Sequence, residues 1–333
     1  MKINLFLIVS IVLFGFCLFV MGCSSSSSSA PPAQEQIPPE EEPPAQQTVA
    51  PVINAVSIGV PDLDAAVEFY RDTIGMELLA DGDYPDYLNQ EGMNVAVLAS
   101  RQAGRRGAML VLMNDPAITD AAYYTDNPDK LVFIVPCVDE NDPYVDNFYS
   151  AILANGGSEV GNGGTPPETR TDQGYPAGVR IGMAYDLNGY LVEMLAFPAA
   201  MITSVTVTDP YIIGVGIGVS NLSDSRDYYT RILGMVYSAD LDVPNFMLEV
   251  ELATPSGARP NMVLMHYEAT KDYTDNPVRL VFTVPDAGKY FDFVEAEAPD
   301  QILKPLATLP SGAKSGEVKD LDGTTIQIVQ PAP

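Results

Sequence analysis

A chain of 333 residues, 47% of them apolar, is too long for one compact core and has enough apolar content for two. Seventeen Lys and Arg against 44 Asp and Glu leave a formal charge of −27, which excludes the basic face that nucleic-acid phosphates require and points instead to a strongly solvated surface. Of the three cysteines, Cys17 and Cys23 lie in or at the end of an apolar leader, and only Cys137 falls in the folded part. A lone thiol makes no intramolecular disulfide, so no disulfide framework supports these domains, and its neighbours Val135 and Pro136 suit an inert core or strand-end position.

At the N-terminus, Lys2 precedes an uncharged apolar stretch from Leu5 to Met21. As a helix it would be about 26 Å long, slightly short of a membrane span. A positive start, an apolar centre and a small residue at its end describe a secretory signal. The ending Val20-Met21-Gly22-Cys23 resembles the lipobox of bacterial lipoproteins, with Met21 the departure from the usual pattern. That resemblance implies a signal peptide over 1–22, cleavage before Cys23, and acyl chains on Cys23 that anchor the protein to a lipid bilayer in the cell envelope, facing the periplasm or the cell exterior. An uncleaved membrane helix is the alternative, and the run of six serines directly after Cys23 favours the tether. Residues 23–52 are rich in Ser, Pro, Gln and Glu and cannot bury a core. Extended, they reach on the order of 80 Å.

Beyond residue 52 the chain repeats itself. Val56-Ser57-Ile58-Gly59-Val60-Pro61-Asp62-Leu63-Asp64, then Phe69-Tyr70-Arg71 and Ile74-Gly75-Met76, returns as Val215-Gly216-Ile217-Gly218-Val219-Ser220-Asn221-Leu222, then Tyr228-Tyr229-Thr230-Arg231 and Leu233-Gly234-Met235. Each copy reads as a strand, a turn with a helix-capping residue, and a three-turn amphipathic helix closed by glycine. Tyr124-Thr125-Asp126-Asn127-Pro128 recurs as Tyr273-Thr274-Asp275-Asn276-Pro277, each leading into a buried strand. Each copy ends on a hairpin signal, Asp186-Leu187-Asn188-Gly189 or Asp320-Leu321-Asp322-Gly323. In the first copy the pattern predicts strands near 53–60, 77–81, 94–99 and 108–113 with a helix at 64–74. Its second half has strands near 130–136, 178–185 and 190–196 with a helix near 143–155.

In this order, and twice over, these motifs resemble the vicinal oxygen chelate superfamily of glyoxalase I, extradiol dioxygenases and bleomycin-resistance proteins. The resemblance covers about 53–200 and 211–331, joined by a linker at 201–210. It implies an α+β fold of two tandem modules, each of paired βαβββ motifs forming a cupped mixed sheet with helices outside, the modules packing on each other. In the enzymes of that superfamily, His, Gln or Glu from four inner-face positions hold a divalent metal, since a Lewis-acid site needs several converging lone pairs. Carried over, the first-strand position falls on Ala55 and Gly214, and the fourth-strand position on Val111 and Val263. The position opening the fifth strand falls on Lys130 and Arg279, and the last-strand position on Glu193 and Gln327. Of these only Glu193 is a good metal ligand, and a cation at the third position repels a metal.

The candidate ligand-binding residues are therefore Lys130, Glu193, Arg279 and Gln327, with no metal or other cofactor expected. A Lys130–Glu193 pair reads first as a structural salt bridge in the vacated metal site. Arg279 has no carboxylate at the last-strand position, so its fork is the better anchor for an anion. The one histidine, His266, has Asn114 as its counterpart and reads as a surface or satisfied residue. Arg105-Arg106 reads as an exposed hairpin tip, Tyr123, Tyr124 and Tyr273 as loop edges or a cup mouth, and 156–178 as a solvated excursion or a binding loop. No nucleophile motif stands out. Three readings follow. The first is a lipid-anchored, metal-independent member of the superfamily that binds a small polar or anionic molecule. The second is a divalent-metal lyase or dioxygenase of the glyoxalase type. The third is a structural envelope lipoprotein without a ligand.

Overall fold

The computed structural model describes residues 51–89, 92–102, 104, 107–114, 129–136, 144–160, 166–169, 178–198, 207–243, 246–258, 260–273 and 278–333. The signal peptide, Cys23 and nearly all of the tether lie outside the described residues, as do Arg105 and Arg106, residues 123–128, Cys137, parts of 156–178, most of the 201–210 linker, and 274–277. Among the described residues no helix is long and apolar enough to cross a membrane.

Four βαβ-type quarters follow one another. The first holds β1 (Val52–Val60), α1 (Leu63–Glu68, continued by a π-helical turn to Thr73), β2 (Glu77–Leu78), β3 (Val95–Ala99) and β4 (Met109–Asn114). The second holds β5 (Lys130–Ile134), α2 (Tyr144–Ala154), β6 (Ser158–Glu159), β7 (Glu168–Thr169), β8 (Arg180–Tyr185) and β9 (Leu191–Ala196). The third holds β10 (Tyr211–Gly218), α3 (Leu222–Arg231), β11 (Val236–Val243), β12 (Met247–Ala253) and β13 (Asn261–Tyr267). The fourth holds β14 (Arg279–Thr283), α4 (Ala287–Glu297), β15 (Ile302–Thr308), β16 (Lys314–Lys319) and β17 (Thr325–Gln330). Polar side chains cap the helix starts, Asp62 and Asn221 at the turns where a capping residue is expected and Asp286 at a start the sequence does not single out. Asp62 Oδ1 accepts from Ala65 N at 3.0 Å, Asn221 Oδ1 from Ser223 N at 3.0 Å, and Asp286 Oδ1 from Lys289 N at 3.1 Å.

The fold class is the expected one, two tandem copies with mixed sheets and few helices, but a sheet is not a copy. One sheet has the order β15-β16-β17-β14-β1-β4-β3-β2, joining the first quarter to the fourth. The other runs β11-β12-β13-β10-β5-β9-β8-β6, joining the third to the second, with β7 added beside β8. The expectation that both halves of a copy close one cup is thus corrected. The opening strand of each quarter takes a parallel partner from its own quarter and an antiparallel partner from the other copy: Ser57 lies opposite Arg279, and Gly216 opposite Lys130. All four opening strands are apolar and buried, so the hydrophobic pattern alone leaves the choice of antiparallel partner open.

Packing between the halves of a copy settles that choice. In the first copy, Tyr70 donates its hydroxyl to Asp186 Oδ2 at 2.7 Å, and Tyr190 donates its own to Gly59 O at 3.1 Å. In the second, Tyr229 donates to Asp320 Oδ2 at 2.8 Å and Tyr228 to Lys319 O at 3.1 Å. Each aspartate also organises its turn: Asp186 Oδ1 accepts from the backbone of Asn188 and Tyr190, and Asp320 Oδ1 from that of Asp322 and Thr324. The aromatic helix motif and the Asp-Gly turn, separate signals in the sequence, are the two ends of one buried hydrogen bond. Halves of a copy therefore meet through their helix-bearing faces. One core runs across both sheets and all four helices, with Ile58, Leu112, Phe133, Val192, Phe148, Tyr229 and Phe291 among its members. The opposite faces of the sheets form two further clusters, the interiors of two cups.

Burial pushes the carboxyls of Asp186 and Asp320 up to about 6, against the pull of the hydrogen bonds they accept. Unfolded, an aspartate titrates near about 3.9. Between these values the folded chain binds more protons than the unfolded one, so their contribution to stability falls as pH rises from about 4 to about 6 and is level above that. Asn at either position keeps the oxygen that organises the turn and removes the titration. The double variant Asp186→Asn, Asp320→Asn is expected to lose this part of the decline when urea midpoints are compared across pH 4–7. An unchanged difference between pH 4.5 and 7 would show that neither carboxyl titrates in that window.

Candidate functional site

Each cup has a cation at its floor. In the cup of the second and third quarters, here cup B, Lys130 extends from β5 and its Nζ donates to Glu193 Oε2 on β9 at 2.5 Å and to Glu249 Oε1 on β12. The three side chains are 1–3% exposed. β12 lies three strands from β5, roughly 14 Å along a sheet with the usual spacing. Only the curvature of the cup lets one lysine and one glutamate span it. Gly216, opposite Lys130 on β10, makes room for the lysine stem: a Cβ there would overlap Lys130 Cγ and crowd Met265 Sδ at 2.9 Å. Burial alone would pull the Lys130 ammonium down, but the two carboxylates outweigh it and raise its pKa. Glu249 is pushed up by burial and by the charge of Glu193, with Lys130 opposing. Lysine stays charged here, and Glu249 takes up a proton more readily than a solvated glutamate. Further along the same face of β12, Glu251 accepts from Asn261 Nδ2 and from Ser238 Oγ at 3.3 Å.

In the cup of the first and fourth quarters, cup A, Arg279 Nη1 donates to Glu317 Oε1 on β16 at 2.8 Å, and Lys304 Nζ reaches the same oxygen at 3.0 Å. Arg279 has no carboxylate at the last-strand position, as expected, but it is not free: its partner stands one strand beyond, where Glu317 lies opposite Gln327. Burial lowers the Arg279 pKa against the charge of Glu317, although the guanidinium remains protonated at any physiological pH. Gln327 Nε2 donates to Tyr87 O and to Ser315 Oγ, both at 2.9 Å, while its Oε1 and the nearby Ser57 Oγ are buried without a hydrogen-bond partner. Tyr87 belongs to a 3₁₀ turn that reaches into the cup, and Asn54 Nδ2 donates to its hydroxyl at 2.8 Å. Around them pack Leu79, Leu88, Val97, Val111 and Val329.

The four positions carried over from sequence do lie on cup faces, but they regroup. Ala55, Val111, Arg279 and Gln327 share cup A, while Gly214, Val263, Lys130 and Glu193 share cup B. Lys130 and Glu193 pair as expected, whereas Arg279 and Gln327 occupy one cup without touching. These donors do not fit a divalent ion as they stand. Alanine, valine and glycine at half of the positions offer no side-chain lone pair, and the fifth-strand position is cationic in both cups. Among the described residues no group of three or more His, Cys, Asp or Glu converges to hold a metal. His266 is explained by its fold position: its Nδ1 lies 2.9 Å from Val219 O, as Asn114 Nδ2 donates to Pro61 O at 3.3 Å in the first copy. Tyr273 stacks on that imidazole, with ring centres 5.8 Å apart.

Sequence reasoning missed Glu249 and Glu317. A signal for the first was present: in Met247-Leu248-Glu249-Val250-Glu251-Leu252 the glutamates alternate with apolar residues, so if Val250 and Leu252 face the helices, both glutamates line the cup.

Comparison with known proteins agrees with this geometry. The model of the Glyoxalase/Bleomycin resistance protein/Dioxygenase superfamily matches residues 52–194 and 211–328. No curated protein matches the chain. Among solved structures, glyoxalase I from Zea mays is 19% identical, with a TM-score of 0.59 over 85% of this chain and 93% of that one. A putative dioxygenase from Bacillus subtilis is 11% identical, with a TM-score of 0.55 over 87% of each chain. At these identities the likeness is one of fold.

Removing the lysine tests how far cup B depends on it. Lys130→Met leaves two buried carboxylates facing each other and is expected to cost about 3–5 kcal/mol in urea unfolding at pH 7. Adding Glu193→Met and Glu249→Met should recover most of that loss, because an apolar floor of similar volume needs no counter-charge. A loss below about 1 kcal/mol for Lys130→Met would show that the ammonium is dispensable to the fold.

Proposed function

Because the chain belongs to the glyoxalase/bleomycin resistance protein/dioxygenase superfamily, we propose that it is a metal-independent binding member of it, held at a membrane by an acylated Cys23, that captures a small polar or anionic molecule in cup A. The observation that carries this reading is the floor of cup A. Two buried polar atoms, Gln327 Oε1 and Ser57 Oγ, lack partners beside an arginine whose fork is engaged, among the described residues, only through Nη1. An unmade buried hydrogen bond costs roughly 1–3 kcal/mol, so a ligand that completes these bonds gains that amount in affinity. Arg279 and Lys304 against Glu317 leave one net positive charge, which suits a singly charged anion. A carboxylate carrying a hydroxyl or amide donor would satisfy the guanidinium and Gln327 together. The Tyr87 turn fills the space above, so ligand entry displaces it from Gln327 Nε2. Cup B supports no such reading, since its lysine is already held by two carboxylates.

Ligand capture is tested by the melting temperature of the full chain titrated with small hydroxycarboxylates and with phosphate. An upward shift that Arg279→Ala abolishes and Lys304→Ala only weakens is expected. A shift that survives unchanged in Arg279→Ala would remove cup A as the site. Membrane attachment is tested separately: Cys23→Ala is expected to move the chain from the membrane to the soluble fraction, and wild-type chain found soluble and unacylated would overturn the anchor.

A further inference from the structure

The two copies differ in the segment that follows the first helix of each. From Met76 to Val95, which lies opposite Met113, is 19 positions; from Met235 to Glu249, which lies opposite Met265, is 14. In the second copy this chain stays in the sheet as β11. In the first, β2 ends after two residues and the extra length turns inward, seating Tyr87 and Leu88 in cup A at 7% and 1% exposure. The excursion runs between Gly82 and Gly92, both at positive φ with open space where a side chain would stand, so its two ends are unpacked while its middle is buried.

Three hydrogen bonds seat the turn, each from a different element. Gln327 Nε2 on β17 donates to Tyr87 O at 2.9 Å, and Asn54 Nδ2 on β1 donates to the Tyr87 hydroxyl at 2.8 Å. The third is at the surface: Ser311 Oγ, on the hairpin between β15 and β16, donates to Asp86 Oδ1 at 2.9 Å. Leu309 and Ala313, on either side of Ser311, pack in cup A, so this bond closes the rim. The seat is incomplete. The turn gives Gln327 Nε2 an acceptor but leaves Gln327 Oε1 and Ser57 Oγ buried without partners. Burial of Tyr87 and Leu88 favours the closed turn, and the two unpaired atoms favour whatever can replace it.

We infer that the Tyr87 turn is a gate of cup A, latched shut by the Asp86–Ser311 hydrogen bond, and that the cup takes its ligand when this turn lifts. The inference rests on the reading of cup A as a ligand site and adds the regulation of that site. A ligand that binds only the open form has its affinity reduced by the fraction open. Losing one surface hydrogen bond raises that fraction about fivefold. Neither latch residue hydrogen-bonds Arg279, Gln327 or Ser57, so latch variants leave the proposed ligand contacts in place.

The test reads the open fraction by chymotrypsin cleavage of the folded full chain after Tyr87 and Leu88, which the closed turn denies to the protease. Asp86→Ala and Ser311→Ala should each speed that cleavage about fivefold. Asp86→Ala is the cleaner break, because Ser311 Oγ also accepts from Ala313 N at 3.3 Å. The double variant should exceed Asp86→Ala by less than about twofold, since both changes remove one bond. Glycolate and inorganic phosphate serve as ligand probes. A probe that raises the melting temperature through Arg279 should also speed cleavage at Tyr87, the reverse of ordinary ligand protection. It should act on Asp86→Ala at about fivefold lower concentration. Cleavage unchanged in both latch variants would overturn the gate. A probe that binds through Arg279 while cleavage stays slow would also overturn it, and would keep cup A as a ligand site. Faster cleavage in the latch variants with neither probe bound supports the latch and counts against the ligand reading alone.

Discussion

The antiparallel pairing of β1 with β14 and of β5 with β10 is the constraint from which the rest of the structure follows. It joins strands more than two hundred residues apart in one sheet and places the two innermost quarters in the other. Once made, it fixes which residues share a cup. Lys130 meets Glu249 of the other copy, and Arg279 lies beside Ser57 of the other copy. The buried tyrosine–aspartate bonds add a second attachment, fastening the two halves of one copy through their helices. Each quarter is thus held twice, once by a strand from the other copy and once by a turn from its own. The same core residues serve both attachments.

Given that frame, the chemistry of each cup is an electrostatic problem in a small buried volume. A cation on the opening strand of the second or fourth quarter must find carboxylates or stand as a costly unpaired charge. Cup B solves this by reaching across the floor to Glu249, so the lysine is held by two carboxylates. Cup A solves it locally, with Glu317 from the same quarter, leaving most of the arginine fork and two buried oxygens without a hydrogen-bond partner among the described residues. The two cups share a fold but not a state of completion, and this asymmetry is why a ligand is proposed for cup A alone.

Much of this was legible before any coordinates. Alternation and capping residues located β1, β5, β9 and the two helices of the first copy to within a few residues, because those elements bury an apolar face and period alone reveals them. The inner-face positions were also found, carried over from the family resemblance rather than read from the local pattern. What escaped was the grouping. Four opening strands of similar apolar character do not say which two pair, and the answer depends on helix packing that no local pattern encodes. For the same reason Glu249 and Glu317 went unnoticed: a glutamate in an alternating strand is read as solvent-facing until the curvature of a cup buries that face. The carboxylate partner of Arg279 escaped in the same way, since it stands one strand further out than the last-strand position.

The exchange of halves also bears on how such a chain varies. In a module that closes on itself, each copy can drift alone, because its site residues travel together along the sequence. Here a substitution in one copy alters one half of each sheet. Lys130 is tolerated only because Gly216, in the other copy, has no side chain where the lysine stem lies, and because Glu249, also in the other copy, supplies a second carboxylate. A lysine at this position with any larger residue opposite it would have to leave the floor, and without Glu249 it would have one carboxylate where it now has two. The two copies are repeats in sequence, but neither contains a complete cup. The unit on which the chemistry depends is the pair.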